Sequence, residues 1–349
     1  MMLIDTSTYL KYSMNILQAG VSKSGNYWLY SILHNILLEA GQKHRSYIQQ
    51  HPIQSETGKW QLSFAGQSEM DFLSIEGGKC YCRISQVFKE EIADIDSYIS
   101  SCSQVWTHST IDAAASKILA KFDKIVYIIR DPRDRAISKS KYDFTEHKLT
   151  NGIPHYEKDP QSYLENRLPA MTRYWVRHVG GYLKYRTELN IYPVFYERWL
   201  HDFDRELVKL LAYLEIELSP QAIARIKHNV SFKVMKQKSP KHLRKGSSGQ
   251  WQDVLSDRQK QEVEQIAGSM LELLNYPPAS QDLPQFEELS TVAIDRAIAK
   301  VKSDSPGRIV SLINFLNSNR SVTAKLNLAL VWSSGTIKRL VRIPARRSS

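Results

Sequence analysis

The first two thirds of the chain alternate short apolar runs with stretches of helical periodicity. Residues 14–20 contain an apolar run that ends in Ala-Gly, which predicts a strand. Over residues 28–37, apolar side chains recur at helical spacing and Gly41 follows them, as at the end of an amphipathic helix. Residues 125–129 are continuously apolar and mostly β-branched, which is typical of a parallel strand that is buried on both faces.

Two further runs and one helix start complete this pattern. Residues 104–107 are a weaker strand candidate, and residues 191–196 predict a strand that Pro193 weakens or places near the edge of a sheet. Asp131 and Pro132 supply an N-cap acid and a proline at the first helical position. Strands that alternate with helices in this way predict an α/β fold, in which helices flank a central parallel β-sheet.

Polar side chains that could carry chemistry follow four of the predicted strands. They are Lys23, His108, Arg130 and Tyr196. In an open parallel sheet, ligands bind outside the carboxyl ends of the strands. We therefore expect these four side chains to meet in one crevice, and this convergence carries more weight than any single motif.

Composition adds little to the fold but excludes several classes of protein. Of the 349 residues, 42% are hydrophobic and 24% are charged, as in ordinary globular proteins. No run of about 18 apolar residues predicts a transmembrane helix, and the N-terminus has no secretory pattern. The three cysteines, of which Cys80 and Cys82 form an isolated C-x-C, are too few for a disulfide framework or a zinc site. We expect reduced thiols, no metal ion and a cytoplasmic location.

The basic excess of the chain lies in its C-terminal tail. The formal net charge is +11, and residues 296–349 contain eleven basic residues against one acidic residue, Asp304. Pro277-Pro278 interrupts the chain ahead of this segment. We predict a main domain at residues 10–280 and a basic C-terminal extension at 281–349. The extension is either a solvated segment or a surface that contacts an anionic membrane or an acidic acceptor, and we expect no nucleic-acid partner.

The loop between the first strand and the first helix matches a phosphate-binding loop only in part. Gly20 and Gly25 have the G-x-x-x-x-G spacing, and backbone amides at the start of a helix attract anions. Asn26-Tyr27 stands where nucleoside triphosphatases have Lys-Ser/Thr, so the hydroxyl that holds magnesium is missing. The lysine lies instead at Lys23. Taken alone, this loop is better explained as a structural turn.

Further motifs follow this loop in a definite order. The set consists of Ser22-Lys23-Ser24-Gly25-Asn26-Tyr27-Trp28, Thr107-His108, Arg130 with Ser138, Tyr196-Glu197, Ser231-Phe232 with Met235-Lys236, and Arg244-Lys245-Gly246 with Gly249-Gln250-Trp251. In these motifs and their order, the sequence resembles the cytosolic-type sulfotransferases over about residues 14–277. One such motif would be weak evidence, whereas several in register make the resemblance specific.

The resemblance implies a P-loop-like strand–loop–helix that binds 3′-phosphoadenosine 5′-phosphosulfate (PAPS) without a metal ion. Backbone amides would bind its 5′-phosphate, and guanidinium groups, which fork onto two oxygens, suit its 3′-phosphate. The implied 5′-phosphate residues are Lys23, Ser24, Gly25, Asn26 and Tyr27, and the implied 3′-phosphate residues are Arg130, Ser138, Arg244, Lys245 and Gly246. Trp28 and Phe232 would flank the adenine, Tyr196 would line its pocket, and Ser231 belongs to the same donor site.

The implied reaction moves the sulfuryl group to a hydroxyl, or alternatively an amine, of a small-molecule, lipid or carbohydrate acceptor, and releases adenosine 3′,5′-bisphosphate (PAP). Lys23 would stabilise the bridging oxygen as the sulfate leaves, and His108 would be the general base. Variable loops at about 45–103 and 143–180 would form the acceptor pocket. Two alternatives stay open: a small-molecule kinase with a degenerate P-loop, and an inactive sulfotransferase-like module that binds a nucleotide.

Four positions depart from the family pattern. Asn26 and Tyr27 replace two threonines; Asn26 keeps an amide that can donate to the donor substrate, whereas the bulk of Tyr27 changes the 5′ contacts. Trp106 stands where the family often has a lysine, which removes one positive charge near the sulfate. Val230 replaces a threonine, so one adenine contact is lost.

Overall fold

A computed structural model describes residues 14–64, 66–152, 157–240, 246–276, 283–285 and 289–302. The strands are β1 (Ile16–Gly20), β2 (Phe72–Glu76), β3 (Lys79–Ile84), β4 (Phe88–Glu91), β5 (Gln104–Thr107), β6 (Lys124–Ile129) and β7 (Ile191–Phe195). The α-helices are α1 (Asn26–Glu39), α2 (Tyr47–Gln50), α3 (Ile95–Ser100), α4 (Ala113–Leu119), α5 (Pro132–Asp143), α6 (Glu146–Asn151), α7 (Pro160–Lys184), α8 (Tyr196–His201), α9 (Phe203–Leu214), α10 (Pro220–Asn229), α11 (Phe232–Lys238), α12 (Trp251–Val254), α13 (Asp257–Leu273) and α14 (Thr291–Lys302). Two 3₁₀ helices, Pro52–Lys59 and Gln67–Glu69, lie between α2 and β2.

The described strands form one sheet in the order β4-β3-β2-β5-β1-β6-β7. The pairs β2–β5, β5–β1, β1–β6 and β6–β7 are parallel, whereas β3 and β4 add to the β2 side in antiparallel orientation. The predicted α/β fold with a central parallel sheet is therefore confirmed, with an antiparallel addition that the sequence did not predict. Pro193 lies in β7, the last strand of this order, as expected for a proline that cannot donate to an inner ladder.

Strand β6 shows why its continuous apolar run marks a central strand. Ile125, Tyr127 and Ile129 pack into the core that contains the buried face of α7, while Val126 and Ile128 pack into the core that contains α1. Successive side chains of a strand point to opposite faces of the sheet. Because helices cover both faces, every position of β6 needs an apolar residue.

The region 45–103 is more regular than the loops predicted there. It contains β2, β3 and β4, and in β3 the buried residues Cys80, Cys82 and Ile84 alternate with partly exposed ones. This period of two is the strand signal, but polar and glycine residues around it give the segment the composition of a loop. The three cysteines of the chain are buried free thiols.

The described part of the C-terminal region packs on the main domain. Helix α14 contacts α7 and α13, and it buries Ile294, Ala297 and Val301 in the core. Lys184 of α7 pairs with Asp295 at 2.8 Å. The apolar stretches and most of the basic residues expected beyond this helix lie outside the described residues, so the division at residue 280 stays a prediction. No helix in the described ranges is both long and apolar enough to span a bilayer.

Candidate functional site

The carboxyl ends of four parallel strands surround one cavity of about 830 Å³. Lys23 follows β1, His108 follows β5, Arg130 follows β6 and Tyr196 follows β7, and all four line this cavity. The parallel register places these strand ends at the same edge of the sheet. The sequence-based expectation of a shared crevice therefore agrees with the geometry.

The loop from β1 to α1 has the backbone form of an anion-binding turn. Lys23 and Gly25 both adopt left-handed conformations, with φ of 71° and 96°. Gly25 is the N-cap of α1, and no side chain of the described residues caps the helix start. Amides at such a start carry the positive end of the helix dipole, so the loop can bind a phosphate through its backbone.

Side chains in this loop hold it together from inside. From the sequence, we expect the side-chain amide of Asn26 to face the donor substrate. Asn26 instead donates this amide to the Val21 carbonyl at 2.8 Å. The Val21 carbonyl also accepts from the Ser24 amide at 3.2 Å, so the Asn26 side chain adds a second hydrogen bond that holds the buried turn. Ser24 is fully buried and does not line the cavity, and its hydroxyl has no hydrogen-bond partner within the described ranges. Tyr27 and Trp28 do line the cavity.

We expect Gly25→Ala to be clearly more destabilising than Gly41→Ala. Both glycines have positive φ, which costs an alanine about 1–2 kcal/mol. Only at Gly25 would the new Cβ meet a neighbour, Cδ2 of Tyr196 at 2.5 Å, whereas Gly41 faces open space. Urea denaturation of both variants measures the difference in the free energy of unfolding. Equal losses at the two positions would contradict a close approach of the loop to Tyr196.

Arg130 is a buried cation at the centre of the site. Its guanidinium lies 4.3 Å from the ring centroid of Tyr196, and it donates to the carbonyls of Lys23 at 3.2 Å and Ser247 at 3.1 Å. Its Nε atom is buried without a partner, and Arg130 makes no ion pair in the described part of the chain. A guanidinium that neutral carbonyls hold in place keeps its charge available to an anionic ligand.

The other predicted donor-site residues divide into three groups. Ser138, Tyr196, Phe232 and Gly246 line the cavity with Arg130. Ser231 does not line it, because its hydroxyl caps α11 by accepting from the Val234 amide and donating to the His228 carbonyl. Arg244 and Lys245 lie outside the described residues. Gly246 has φ of 60°, and a Cβ there would lie 2.6 Å from the Phe232 ring, so the chain passes close to this aromatic wall.

Two carboxylates to which the sequence analysis assigned no role position these elements. Asp134 of α5 accepts hydrogen bonds from the Gly249 amide at 2.5 Å and the Trp251 amide at 3.0 Å, which ties the third motif to α5. Glu197 accepts from the Asp131 amide at 3.0 Å and from the Tyr276 hydroxyl at 2.8 Å. Burial raises the pKa of Asp134 above its usual value and raises that of Glu197 to about 7.

Lys23 carries a charge that its surroundings disfavour. Burial, together with the nearby cations Arg130 and Lys139, lowers its pKa to about 7. In the free protein its ammonium lies over the ring of Tyr142, 3.9 Å from the centroid. An anion in the cavity would restore the charged form, because an opposite charge nearby raises the pKa of a lysine.

His108 is held as a neutral imidazole. Its Nδ1 lies 2.5 Å from the Gly20 carbonyl oxygen, which can only accept, so Nδ1 carries the proton and Nε2 keeps its lone pair. Burial, as the largest cause, lowers the pKa of His108 to about 4 despite this hydrogen bond. Rings of Phe72 and Trp106 contact it edge-on, each with its centroid 5.4 Å away.

Helix α7 supports His108 from behind. The His108 carbonyl accepts from Nε2 of His178 at 3.2 Å and from the Tyr174 hydroxyl at 3.3 Å, while the Tyr182 hydroxyl donates to the Ser109 carbonyl at 3.0 Å. The fully buried His178 has its pKa lowered to about 3, mainly by burial. The sequence shows the helical spacing of these residues, but it does not show that they face His108.

The remaining cavity wall comes from the two regions predicted to form the acceptor pocket. Residues 45–103 contribute Phe64, Met70, Phe72 and Arg83, and residues 143–180 contribute Asp143, Lys148, Tyr163 and Tyr174. Trp106, which stands where the family often has a lysine, is buried and packs in a cluster with Tyr30, Phe64 and Phe72. Within the described ranges no group of three His, Cys, Asp or Glu side chains could hold a metal ion.

Comparison with known proteins identifies one family. The family described as "Sulfotransferase domain" matches residues 14–275. Sulfotransferase 1B1 of Mus musculus is 26% identical over 179 residues, which cover 46% of this chain and 58% of the relative. Sulfotransferase 1E1 of Homo sapiens is 27% identical over 167 residues, which cover 43% of this chain and 55% of the relative. The matched region thus spans less than two thirds of the length of these relatives.

A similarity to solved structures extends over more of the chain. The crystal structure of mouse sulfotransferase SULT7A1 complexed with PAP is 20% identical, with a TM-score of 0.49. The alignment covers 74% of this chain and 84% of that one.

Proposed function

The chain belongs to the sulfotransferase domain family, and we propose that it transfers the sulfuryl group of PAPS to an acceptor hydroxyl. One observation supports this most directly: a single cavity contains an anion-binding loop with Lys23, a neutral histidine, and a buried arginine that makes no ion pair with any described residue. Each of these groups matches one requirement of the reaction, which needs a grip on phosphate, stabilisation of negative charge and a base.

The cavity suits a doubly phosphorylated adenosine. The backbone at the start of α1 would hold the 5′-phosphate, and Arg130 with Ser138 would hold the 3′-phosphate, where the unpartnered Nε gains an acceptor. Trp28 and Phe232 would flank the adenine. Arg244 and Lys245 are proposed members of the 3′-phosphate site on the resemblance alone. The similar protein SULT7A1 was crystallised with PAP, the product that PAPS leaves after sulfuryl transfer.

PAPS supplies the sulfuryl group, and residues of this chain assist on both sides of it. The acceptor oxygen forms a bond to sulfur while the bond from sulfur to the phosphate oxygen breaks. Nε2 of His108 takes the proton of the acceptor hydroxyl, and the ammonium of Lys23 stabilises the charge that develops on the phosphate oxygen. A transferred sulfuryl group carries less charge than a phosphoryl group, which fits a loop where Asn26-Tyr27 offers no magnesium hydroxyl.

The cellular setting is proposed on narrower grounds. Cytosolic sulfotransferase 1 of Danio rerio is among the relatives, 23% identical over 188 residues, which cover 49% of this chain and 61% of the relative. We propose a cytoplasmic location on this basis. Contact of the basic tail with an anionic membrane surface remains a proposal from its charge alone.

Calorimetry with three nucleotides tests the proposed donor site. We expect PAP to bind about 10–100-fold more tightly than 5′-AMP, because AMP lacks the 3′-phosphate and leaves Arg130 without its anion. Adenosine 2′,5′-bisphosphate is the charge-matched control and should bind nearly as weakly as AMP. Equal affinities for PAP and AMP would overturn the donor assignment. Transfer of labelled sulfate from PAPS to a panel of hydroxyl and amine acceptors, in EDTA, then tests the reaction.

A further inference from the structure

Four cations of the described residues line the cavity without a part in the proposed chemistry. Lys139 and Arg167 form close ion pairs with Asp143 and Glu157, whereas Arg83 and Lys148 have no such close pair in the described ranges. Arg83 comes from β3 and Lys148 from α6, and both line the cavity together with the donor residues. Neither lies in a motif of the sequence analysis. Because both cations share a cavity with His108, they could bind a negatively charged group of a ligand in this cavity.

Arg83 is held mainly by neutral groups. Its Nη1 donates to the Ser74 hydroxyl at 3.4 Å and its Nη2 to the Ser85 carbonyl at 3.2 Å. Glu76 is 4.0 Å away, at the limit of an ion pair, and is itself bound by Lys89 at 2.5 Å. The Nε atom of Arg83 is buried and has no hydrogen-bond partner within the described ranges. The guanidinium is thus oriented mainly by neutral acceptors, and the one carboxylate at ion-pair distance among the described residues is shared with Lys89.

Lys148 is the second cation of this region. It makes no ion pair among the described residues, and its ammonium lies 5.4 Å from the ring centroid of Tyr142, the ring that Lys23 also contacts. The carboxylate of Asp143 is bound by Lys139. Burial and the charges of Lys139 and Arg83 lower the pKa of Lys148 to about 8. Partly desolvated like charges of this kind are costly until an anion binds between them.

The surfaces near His108 are aromatic. Phe72 and Trp106 contact the imidazole edge-on. On the same apolar wall, the rings of Phe64 and Tyr27 lie with centroids 4.5 Å apart and are tilted by 44° to each other. A flat apolar group gains from contact with such rings. The pocket thus combines an aromatic region beside the base with a cationic region formed by Arg83 and Lys148.

We propose that Arg83 and Lys148 bind an acidic group of the acceptor. The acceptor is then a hydroxyl compound with a flat aromatic body and a carboxylate, such as a phenolic acid. This inference rests on the proposed function for the position of the reacting hydroxyl, but the anion site itself can be measured without turnover.

The test is calorimetric titration of the full chain, saturated with PAP, with paired ligands. The ligands are 4-hydroxybenzoate, 4-hydroxyphenylacetate and 3-(4-hydroxyphenyl)propanoate, each compared with its uncharged amide. We expect at least one acid to bind about tenfold or more tightly than its amide, since hydrogen bonds to charged groups are stronger than neutral ones. Arg83→Gln and Lys148→Gln should each lower the affinity for the acid about tenfold and leave that for the amide nearly unchanged.

Two controls separate this site from other effects. Lys117→Gln removes an exposed lysine outside the cavity and should change neither affinity. Thermal melts establish that the glutamine variants fold, as expected when repulsion between cations is relieved. PAP affinity, measured in the same samples, reports on the proposed function separately from the preference for the acid.

Three results would overturn the anion site. One is that every acid binds no better than its amide, or that none binds at millimolar concentration. Another is that the glutamine variants weaken acid and amide equally. The third is that they slow sulfuryl transfer to both ligands by the same factor. This result would mean that the two cations bind the transferred sulfuryl group and not the acceptor.

Discussion

Replacing His108 with alanine is expected to lower the turnover number by about 10²–10⁴-fold, the usual contribution of a positioned general base. The Gly20 carbonyl holds the Nδ1 proton in place, so Nε2 is the atom that can take the proton of an acceptor. Sulfate transfer from saturating PAPS to one acceptor measures the loss. PAP affinity should remain close to that of the unchanged protein, because the proposed role of His108 is on the acceptor side.

Two variants sharpen this experiment. His108→Asn can still donate an amide hydrogen to the Gly20 carbonyl but cannot take up a proton, so it should be about as inactive as His108→Ala. His201→Ala removes an exposed histidine that does not line the cavity and should leave turnover unchanged. Normal turnover in His108→Asn would remove His108 from the role of base without affecting the donor site.

The pH dependence follows from the low pKa of His108. A histidine with a pKa of about 4 is already neutral at pH 5, so it is competent as a base throughout the neutral range. Between pH 7 and pH 5.5, we therefore expect no loss of activity that depends on His108. A decline centred near pH 6.5, present in the unchanged protein and absent from His108→Asn, would contradict a buried neutral imidazole.

Replacing Lys23 with methionine is expected to lower turnover by about 10²–10³-fold, by analogy with the loss of one oxyanion donor. Methionine keeps much of the length and the apolar contacts of the lysine but removes the charge from the breaking bond. Because the charged lysine is desolvated in the free protein, Lys23→Met should not lower the melting temperature. The same sulfate-transfer assay measures the effect, with Lys117→Met as the surface control.

A pH profile of PAP affinity identifies the charge of Lys23 directly. Its lowered pKa means that the protonated form, which attracts the anion, is lost in the free protein as the pH rises through about 7. PAP affinity should therefore fall above pH 7 in the unchanged protein more steeply than in Lys23→Met. Lys23→Arg keeps its charge at these pH values and should lack this step. Identical profiles for the unchanged protein and Lys23→Met would contradict a role for the lysine charge in binding.

Local patterns predicted the parts of the fold that depend on neighbouring residues in the chain. Strand β6, the Asp131-Pro132 helix start and the glycine-rich turn before α1 all follow from burial on both faces, from capping and from backbone freedom. Strands β2 to β4 were missed because two of them lie beyond the parallel sheet, where an alternating pattern is weaker than a continuous apolar run.

The same limit applies to the candidate site. The positions of Lys23, His108 and Arg130 after their strands are enough to predict that they converge, since parallel strand ends share an edge. Nothing in the sequence indicates that Asn26 turns inward to Val21 or that Asp134 holds the third motif, because both depend on which hydrogen-bond partner is nearest after packing.

The sequence by itself determined the four parallel strands β1, β5, β6 and β7, the loop that can receive a phosphate and the family to which these motifs belong. Only the tertiary structure decided which ring nitrogen of His108 carries the proton and how far the pKa of Lys23 is lowered. It also decided that Arg83 and Lys148 line the same cavity. The physical reason is that periodicity and capping act between residues close in sequence. Desolvation and charge interactions depend instead on distances between segments that are far apart in the chain.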